Sequence, residues 1–143
     1  MNNIHYSSKS NEWETPKKFY EELDAEFNFT LDPCATDDNH KCAKYYTAQQ
    51  DGLAQSWDND RVFCNPPYGR VIGHWVKKAS ESKGLVVMLL PARTDTRYFH
   101  EYIYHRAEIR FLKGRLHFND APAGAPFPSM VVVFRPTKGV ESV

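Results

Sequence analysis

Cysteine is scarce in this 143-residue chain, glycine is limited to 7 residues, and no net charge remains once 18 basic and 18 acidic side chains are balanced. Three cysteines, Cys34, Cys42 and Cys64, are too few and too odd a number for a disulfide framework and read as reduced thiols. Cys34, His40 and Cys42 lie close in sequence. Without paired Cys-x-x-Cys spacing or a second pair they do not make a zinc site, so no metal is expected. The longest uninterrupted apolar run, Leu85 to Leu90, is far too short to cross a bilayer, and the polar opening of the chain holds no apolar signal core. No membrane association is therefore expected, and the cytoplasm is the expected compartment. Repeats, low-complexity tracts and Gly/Ser linkers are missing too, which leaves one domain over 1–143 with short frayed ends at 1–10 and 137–143.

What is present is a folding sequence. Aromatic residues make up 14% and hydrophobic residues 41%, enough to bury one core. The neutral charge is unevenly spread: residues 1–60 hold 5 basic against 12 acidic side chains, and residues 61–143 hold 13 against 6. These balances of −7 and +7 fit a polyanion-facing surface, or two halves that neutralise each other across the fold.

Thr15 followed by Pro16 reads as a helix start, with the hydroxyl as N-cap, and Phe19, Tyr20, Leu23 and Phe27 recur at helical spacing over 16–26. Short strands are expected at Phe29–Leu31, Lys44–Thr47 and Arg61–Cys64, a helix over 70–82, a buried strand in the run 85–90, and a helix over 95–105. Ala107–Leu112 and Met130–Phe134 complete the set as late strands. The fold class is therefore α/β with a mainly parallel sheet. Ligands of such sheets bind beyond the carboxyl ends of the strands, and here those ends run into DPCAT, NPPYG and PARTDT. These three polar, proline-bearing loops would converge.

The most specific feature is Asn65-Pro66-Pro67-Tyr68 directly after a strand. A polar residue, two prolines and an aromatic occur by chance in about one of a few hundred chains of this length. Readings without chemistry are a rigid surface turn or a proline-rich docking peptide, which belongs in an exposed tail and not behind a buried strand. The chemical reading starts from the two prolines, which fix the backbone and carry no donor, so that the Pro66 carbonyl can face a ligand. With the Asn65 side-chain carbonyl it makes two acceptors beside the flat face of Tyr68. That set suits an exocyclic amine on a planar heterocycle: held by both hydrogens, its lone pair turns out of the ring and can attack an electrophilic methyl.

On these residues the chain resembles the phage and prophage DNA adenine methyltransferases of the Dam type. The shared pattern runs through WETP at 13–16, LDPCATDDN at 31–39, DGL and a Trp at 51–57, FCNPPYG at 63–69, LLPARTDTRYFH at 89–100, and GRLHF with PFPS at 114–129. The resemblance implies a compact Rossmann-like class I methyltransferase sheet with an antiparallel late strand, S-adenosylmethionine as cofactor and DNA as partner. It implies that Asn65, Pro66 and Tyr68 are catalytic. Asp32, Pro33 and Ala35 would form the cofactor loop, Trp13, Thr15 and Pro16 a segment closing over it, and Asp51 the acceptor for the cofactor's adenine amine, with Asn65 also lining that site. Turn or strand-end carboxylates are the simpler readings of Asp32 and Asp51. The loop after Asp32 departs from the family by lacking glycines.

For DNA, Arg93, Thr94 and Arg97 in the loop and helix after 91, with Tyr98, Tyr102 and Tyr104 interleaved and Lys113 and Arg115 further on, are the expected contacts to phosphates and unpaired bases. A solvated helix whose tyrosines pack in the core is the competing reading. The same chemistry could act on RNA or on a protein glutamine, and a catalytically silent DNA-binding module of this fold is a third possibility. No base is required before attack, so the six histidines receive no catalytic role, and Cys64 is expected to face the core.

Overall fold

The computed structural model describes residues 13–136. The frayed ends expected at 1–10 and 137–143 lie outside them. The chain runs α1 (Lys17–Phe27), β1 (Leu31–Asp32), β2 (Lys44–Tyr45), a 3-10 turn at Gly52–Ala54, β3 (Arg61–Cys64), α2 (Ile72–Glu81), β4 (Leu85–Pro91), a π-helical turn at Phe99–Ile103, β5 (Glu108–Phe111), a 3-10 turn at Phe118–Asp120 and β6 (Ser129–Phe134). Six strands form one sheet in the order β2-β1-β3-β4-β6-β5. β1 through β4 pair in parallel, whereas β6 runs antiparallel to both β4 and β5. The fold is thus α/β on a mixed sheet with an antiparallel last strand.

β4 is buried at all seven positions, as expected of a strand covered on both faces. Its side chains alternate between two cores. Val86, Met88 and Leu90 join Val62, Cys64, Met130 and Val132 under α2, while Leu85, Val87 and Leu89 join Phe63, Val131 and Val133 under α1. α2 buries Ile72, Trp75, Val76 and Ala79, and α1 buries Tyr20, Leu23 and Phe27. Gly84 opens β4 because the 57–60 turn passes so close that a Cβ there would lie 2.7 Å from the Asp60 carbonyl oxygen and 2.9 Å from that of Asp58. Among the described residues no helix is long and apolar enough to cross a membrane.

Three expectations need correction. The helix start is not capped by Thr15: Pro16 is the N-cap, without a side-chain cap, because the Thr15 hydroxyl is buried and accepts a hydrogen bond from Asn65. Asp120, far along the chain, caps the helix instead by accepting from the Lys17 amide at 3.3 Å. The first strand starts later than Phe29, since Asn28 ends α1 in a left-handed conformation (φ 55°) and the Phe29 amide turns to the Asp24 carboxylate at 2.8 Å. The helix expected over 95–105 shrinks to about two turns beginning at Arg97. Thr94–Thr96 form a turn, the Thr96 hydroxyl accepts from the Phe99 amide, and the helix widens so that the Tyr104 amide reaches the Phe99 carbonyl at 2.8 Å. Arg93 therefore lies in the loop, and only Arg97 of the two is in the helix.

Candidate active site

Because β1, β3 and β4 are parallel, their carboxyl ends share one edge of the sheet, and the DPCAT, NPPYG and PARTDT loops leave it side by side. β6, running the other way, begins at that edge with Ser129 opposite Pro91, so Phe127 and Pro128 arrive there too. The Ala92 amide donates to the Pro128 carbonyl at 2.9 Å and ties the two connections together.

Asn65 is half-buried at the exit of β3. Its Nδ2 donates to the Trp13 carbonyl at 2.6 Å and to the Thr15 hydroxyl at 3.0 Å. A main-chain carbonyl only accepts, so the amide is fixed with nitrogen toward the N-terminal segment. Its Oδ1 is left buried with no hydrogen-bond partner among the described residues. Thr15, Asp32 and Asn65 line one small cavity of about 30 Å³ together with Glu14, Cys34, Asn39, Lys41 and Phe63.

Asp32 is buried, and its two carboxylate oxygens accept the backbone amides of Cys34 at 3.3 Å and Lys41 at 2.9 Å. The carboxylate thus folds its own loop in place of the missing glycines. Burial pushes its pKa up to about 6, against the pull of those two amides and of the nearby Lys41 and His40 charges. Pro33 and Ala35 are buried beside it, and the Ala35 amide donates to the Tyr46 carbonyl at 3.0 Å. Burial also holds the Cys34 and Cys64 thiols well above the ordinary thiol range, with the Asp32 charge adding to it. Neither is a thiolate at neutral pH, and Cys64 lies in the core as expected.

Tyr68 anchors its hydroxyl on the Leu89 carbonyl at 3.1 Å. Its ring belongs to a group of four aromatics: Trp13 lies near-parallel at 6.4 Å and 19°, and Phe118 and Phe127 meet it edge-on at 6.3 and 5.8 Å. Tyr68 and Arg93 line a second, larger cavity of about 410 Å³ with Arg70, Pro91, Thr96 and Tyr98. The Arg93 guanidinium sits 6.0 Å from the Phe127 ring centre. A neighbouring cavity of about 480 Å³ shares Arg70 and Tyr98 and adds His74, Lys77, Arg97 and Tyr102.

Not every expected residue joins these cavities. Pro16 is buried at the head of α1. Asp51 adopts φ 56° and accepts the Leu53 amide at 3.2 Å, capping its own turn, and it lines neither the Asn65 cavity nor the Tyr68 cavity. Arg97 lines the 480 Å³ cavity, but its side chain is 90% exposed and pairs with Glu101 at 2.9 Å; outside the cavities, the Thr94 carbonyl meets the His100 ring at 2.8 Å, Lys113 is exposed, and Arg115 donates to the Ala125 carbonyl at 3.3 Å. Tyr98 packs in the core, as the competing reading held, while Tyr104 is exposed. Sequence reasoning missed Glu14, Lys41, Asn119, Phe118 and Phe127. Asn119 exchanges two hydrogen bonds with Glu14, its amide donating to the Glu14 carbonyl at 2.8 Å and its Oδ1 accepting from the Glu14 amide at 3.1 Å, and so straps the N-terminal segment over the site. The DDNHK and PFPS stretches were the available signals. Among the described residues no group of three or more His, Cys, Asp and Glu could hold a metal ion.

The fold and site define an α/β protein whose sheet edge carries an anchored Asn-Pro-Pro-Tyr loop between a small charged cavity and a larger basic one. The chain belongs to the DNA N-6-adenine-methyltransferase (Dam) family, whose family model matches residues 3–142. A DNA N-6-adenine-methyltransferase of Escherichia phage T1 is 34% identical over 109 residues, covering 73% of this chain and 45% of the phage protein. One of Haemophilus phage HP1 (strain HP1c1) is 29% identical over 135 residues, covering 87% and 78%. A putative methyltransferase of Escherichia coli (strain K12), YfdM, is 38% identical over 64 residues, covering 40% and 70%. The matched region thus spans less than half of the phage T1 relative and most of the other two.

Proposed function

We propose that this protein transfers a methyl group from S-adenosylmethionine to the exocyclic N6 amine of adenine in DNA, on a Rossmann-like class I methyltransferase sheet folded as one domain. The observation that carries the reading is Asn65: an amide held by its nitrogen, with a buried oxygen that has no partner among the described residues, beside the Pro-Pro-Tyr turn. A buried acceptor without a donor costs about 1–3 kcal/mol, and a ligand amine would remove that cost. The reading assigns one amine hydrogen to Asn65 Oδ1 and the other to the Pro66 carbonyl, with Tyr68 against the ring of a base extruded from the duplex. The two acceptors orient the lone pair out of the ring plane, and hold the amine proton that becomes acidic after attack until water removes it.

S-adenosylmethionine supplies an electrophilic methyl when bound. The groups lining the small cavity match the chemistry of its amino-acid end: Asp32 and Glu14 offer negative charge, Lys41 positive charge, and Asn39 and Thr15 neutral hydrogen-bonding groups. In this reading Asp32, Pro33 and Ala35 shape the loop under it, Trp13, Thr15 and Pro16 close the segment over it, and Asp51 offers its remaining carboxylate oxygen to the adenine amine. DNA follows the basic cavities: Arg93 and Arg70 beside Tyr68 take the phosphates next to the extruded base, and Thr94, Arg97, Lys113 and Arg115 form a weaker outer rim.

The test is transfer of labelled methyl from S-adenosylmethionine to mixed-sequence DNA, RNA and protein in parallel, followed by digestion and identification of the modified residue. Label recovered as N6-methyladenine from DNA is expected. Label confined to RNA or protein, or to another base, would overturn the reading.

A further inference from the structure

One charged side chain in the Asn65 cavity is not explained by the fold. The Lys41 side chain is only 18% exposed, yet its ammonium makes no hydrogen bond among the described residues and its nearest anion, Glu14 Oε2, stands off at 3.8 Å. An ammonium carries three donors, and none of them is taken by a hydrogen bond to a described residue, so they are open to an anion entering the cavity. Its other neighbour is the Tyr20 ring, 6.0 Å from the nitrogen, which satisfies no donor. The position is nevertheless built. The Lys41 amide donates to Asp32 Oδ2 at 2.9 Å, so the buried carboxylate pins the base of the lysine on the cavity wall. Glu14 opposite is pinned in turn by Asn119, which contacts both its amide and its carbonyl. Asp32 and Lys41 thus present a fixed anion and an available cation, its backbone pinned to that anion, to one cavity, with the Asn65 amide in the same wall.

We infer that Lys41 is the specificity-determining residue for the amino-acid end of the methyl donor: its ammonium takes the donor's α-carboxylate, while Asp32 faces the α-ammonium. The inference rests on the function proposed above and deepens it. An α-amino acid carries opposite charges one carbon apart, and the Asp32–Lys41 arrangement is the complement of that pair. The loose Glu14 contact keeps Lys41 in place in the free protein and gives way to the stronger, hydrogen-bonded carboxylate.

The experiment is calorimetric binding of S-adenosylmethionine and of decarboxylated S-adenosylmethionine to the full chain and to Lys41→Met, which keeps the length of the apolar stem. The full chain should bind the decarboxylated compound at least about tenfold more weakly, the effect of losing one charge-assisted hydrogen bond. Lys41→Met should bind both compounds alike, with S-adenosylmethionine weakened by a similar factor. Lys41→Gln, which retains a polar end, carries the same comparison if Lys41→Met melts early. Discrimination between the two compounds that survives loss of the lysine would overturn the inference and leave the proposed function standing. Failure of the full chain to bind S-adenosylmethionine would instead overturn the proposed function, and this inference with it.

Discussion

Replacing Asn65 with aspartate changes one NH2 to one oxygen, and the structure makes that small change a severe one. The amide nitrogen sits 2.6 Å from the Trp13 carbonyl oxygen and 3.0 Å from the Thr15 hydroxyl. An ionised carboxylate cannot donate to either. The Thr15 hydroxyl can rotate and donate to it, recovering one contact, but the Trp13 carbonyl only accepts and is left facing an anion. One lost hydrogen bond at about 1 kcal/mol, plus about 1–3 kcal/mol for the orphaned carbonyl, puts the cost of Asn65→Asp at about 2–4 kcal/mol at pH 7. Asn65→Ala removes the same bonds without placing two oxygens together and should be the milder change. At pH 4 a growing share of the new carboxyl is protonated and can donate to Trp13, so the two variants should converge. Urea unfolding of both variants and the unsubstituted chain at pH 7 and pH 4 reads the stability difference. Single-turnover methyl transfer to DNA reads the chemistry, where each should lose at least about a hundredfold, the scale of removing one preorganised polar contact from a reacting centre. If Asn65→Asp is as stable as the unsubstituted chain at pH 7, or its deficit is the same at both pH values, the amide is not held as described.

Three further outcomes are expected. Gly84→Ala places a Cβ 2.7 and 2.9 Å from two carbonyl oxygens, so it should cost about 2 kcal/mol or more in urea unfolding, and a neutral result would contradict the close approach of the 57–60 turn. Asp32 has its pKa raised from 3.8 to about 6, so the folded chain holds the extra proton between those values and stability conferred by the neutral form is lost as pH rises from about 4 to 6. Relative to Asp32→Asn, the unsubstituted chain should therefore lose about 3 kcal/mol over that window and no more above it, and a pH-independent difference would refute the shift. Arg93→Ala should weaken DNA binding and reduce the slope of log affinity against log salt by about 0.9, the value of one phosphate contact, with stability unchanged; an unaltered slope would remove Arg93 from the interface.

The sequence was most readable where local pattern and tertiary packing agreed. Six consecutive apolar residues after Gly84, too few for a buried helix, read as a strand covered on both faces, and β3 with its Asn-Pro-Pro-Tyr exit was marked by two prolines that disfavour its continuation. It was least readable where a side chain had two possible partners. Thr15 before Pro16 carries a proper local capping signal, but the Asn65 amide claims its hydroxyl from 50 residues away. The tyrosines and Phe99 after Arg97 keep a helical spacing, but the Thr96 cap and the wide turn at Tyr104 cut the helix short, and no 3.6-residue periodicity reports that. The connection 112–128 has no periodicity, so apart from the GRLHF and PFPS motifs nothing local placed Phe118 and Phe127, and nothing at all placed Asn119, at the site.

That connection matters because of the direction of β6. A parallel sixth strand would have begun at the far edge of the sheet and carried the 112–128 segment away from the loops. Running antiparallel between β4 and β5, it begins beside Pro91, and its entry must pass over Tyr68. The same passage brings Asn119 to Glu14 and Asp120 to the Lys17 amide, holding the N-terminal segment that orients Asn65. Both residues take left-handed backbone angles, φ 61° and 54°, a local cost offset by those bonds. The strand reversal thus assembles the site, since it delivers from one connection Phe118 and Phe127 of the aromatic wall around Tyr68 and the strap on the segment that holds the Asn65 amide by its nitrogen.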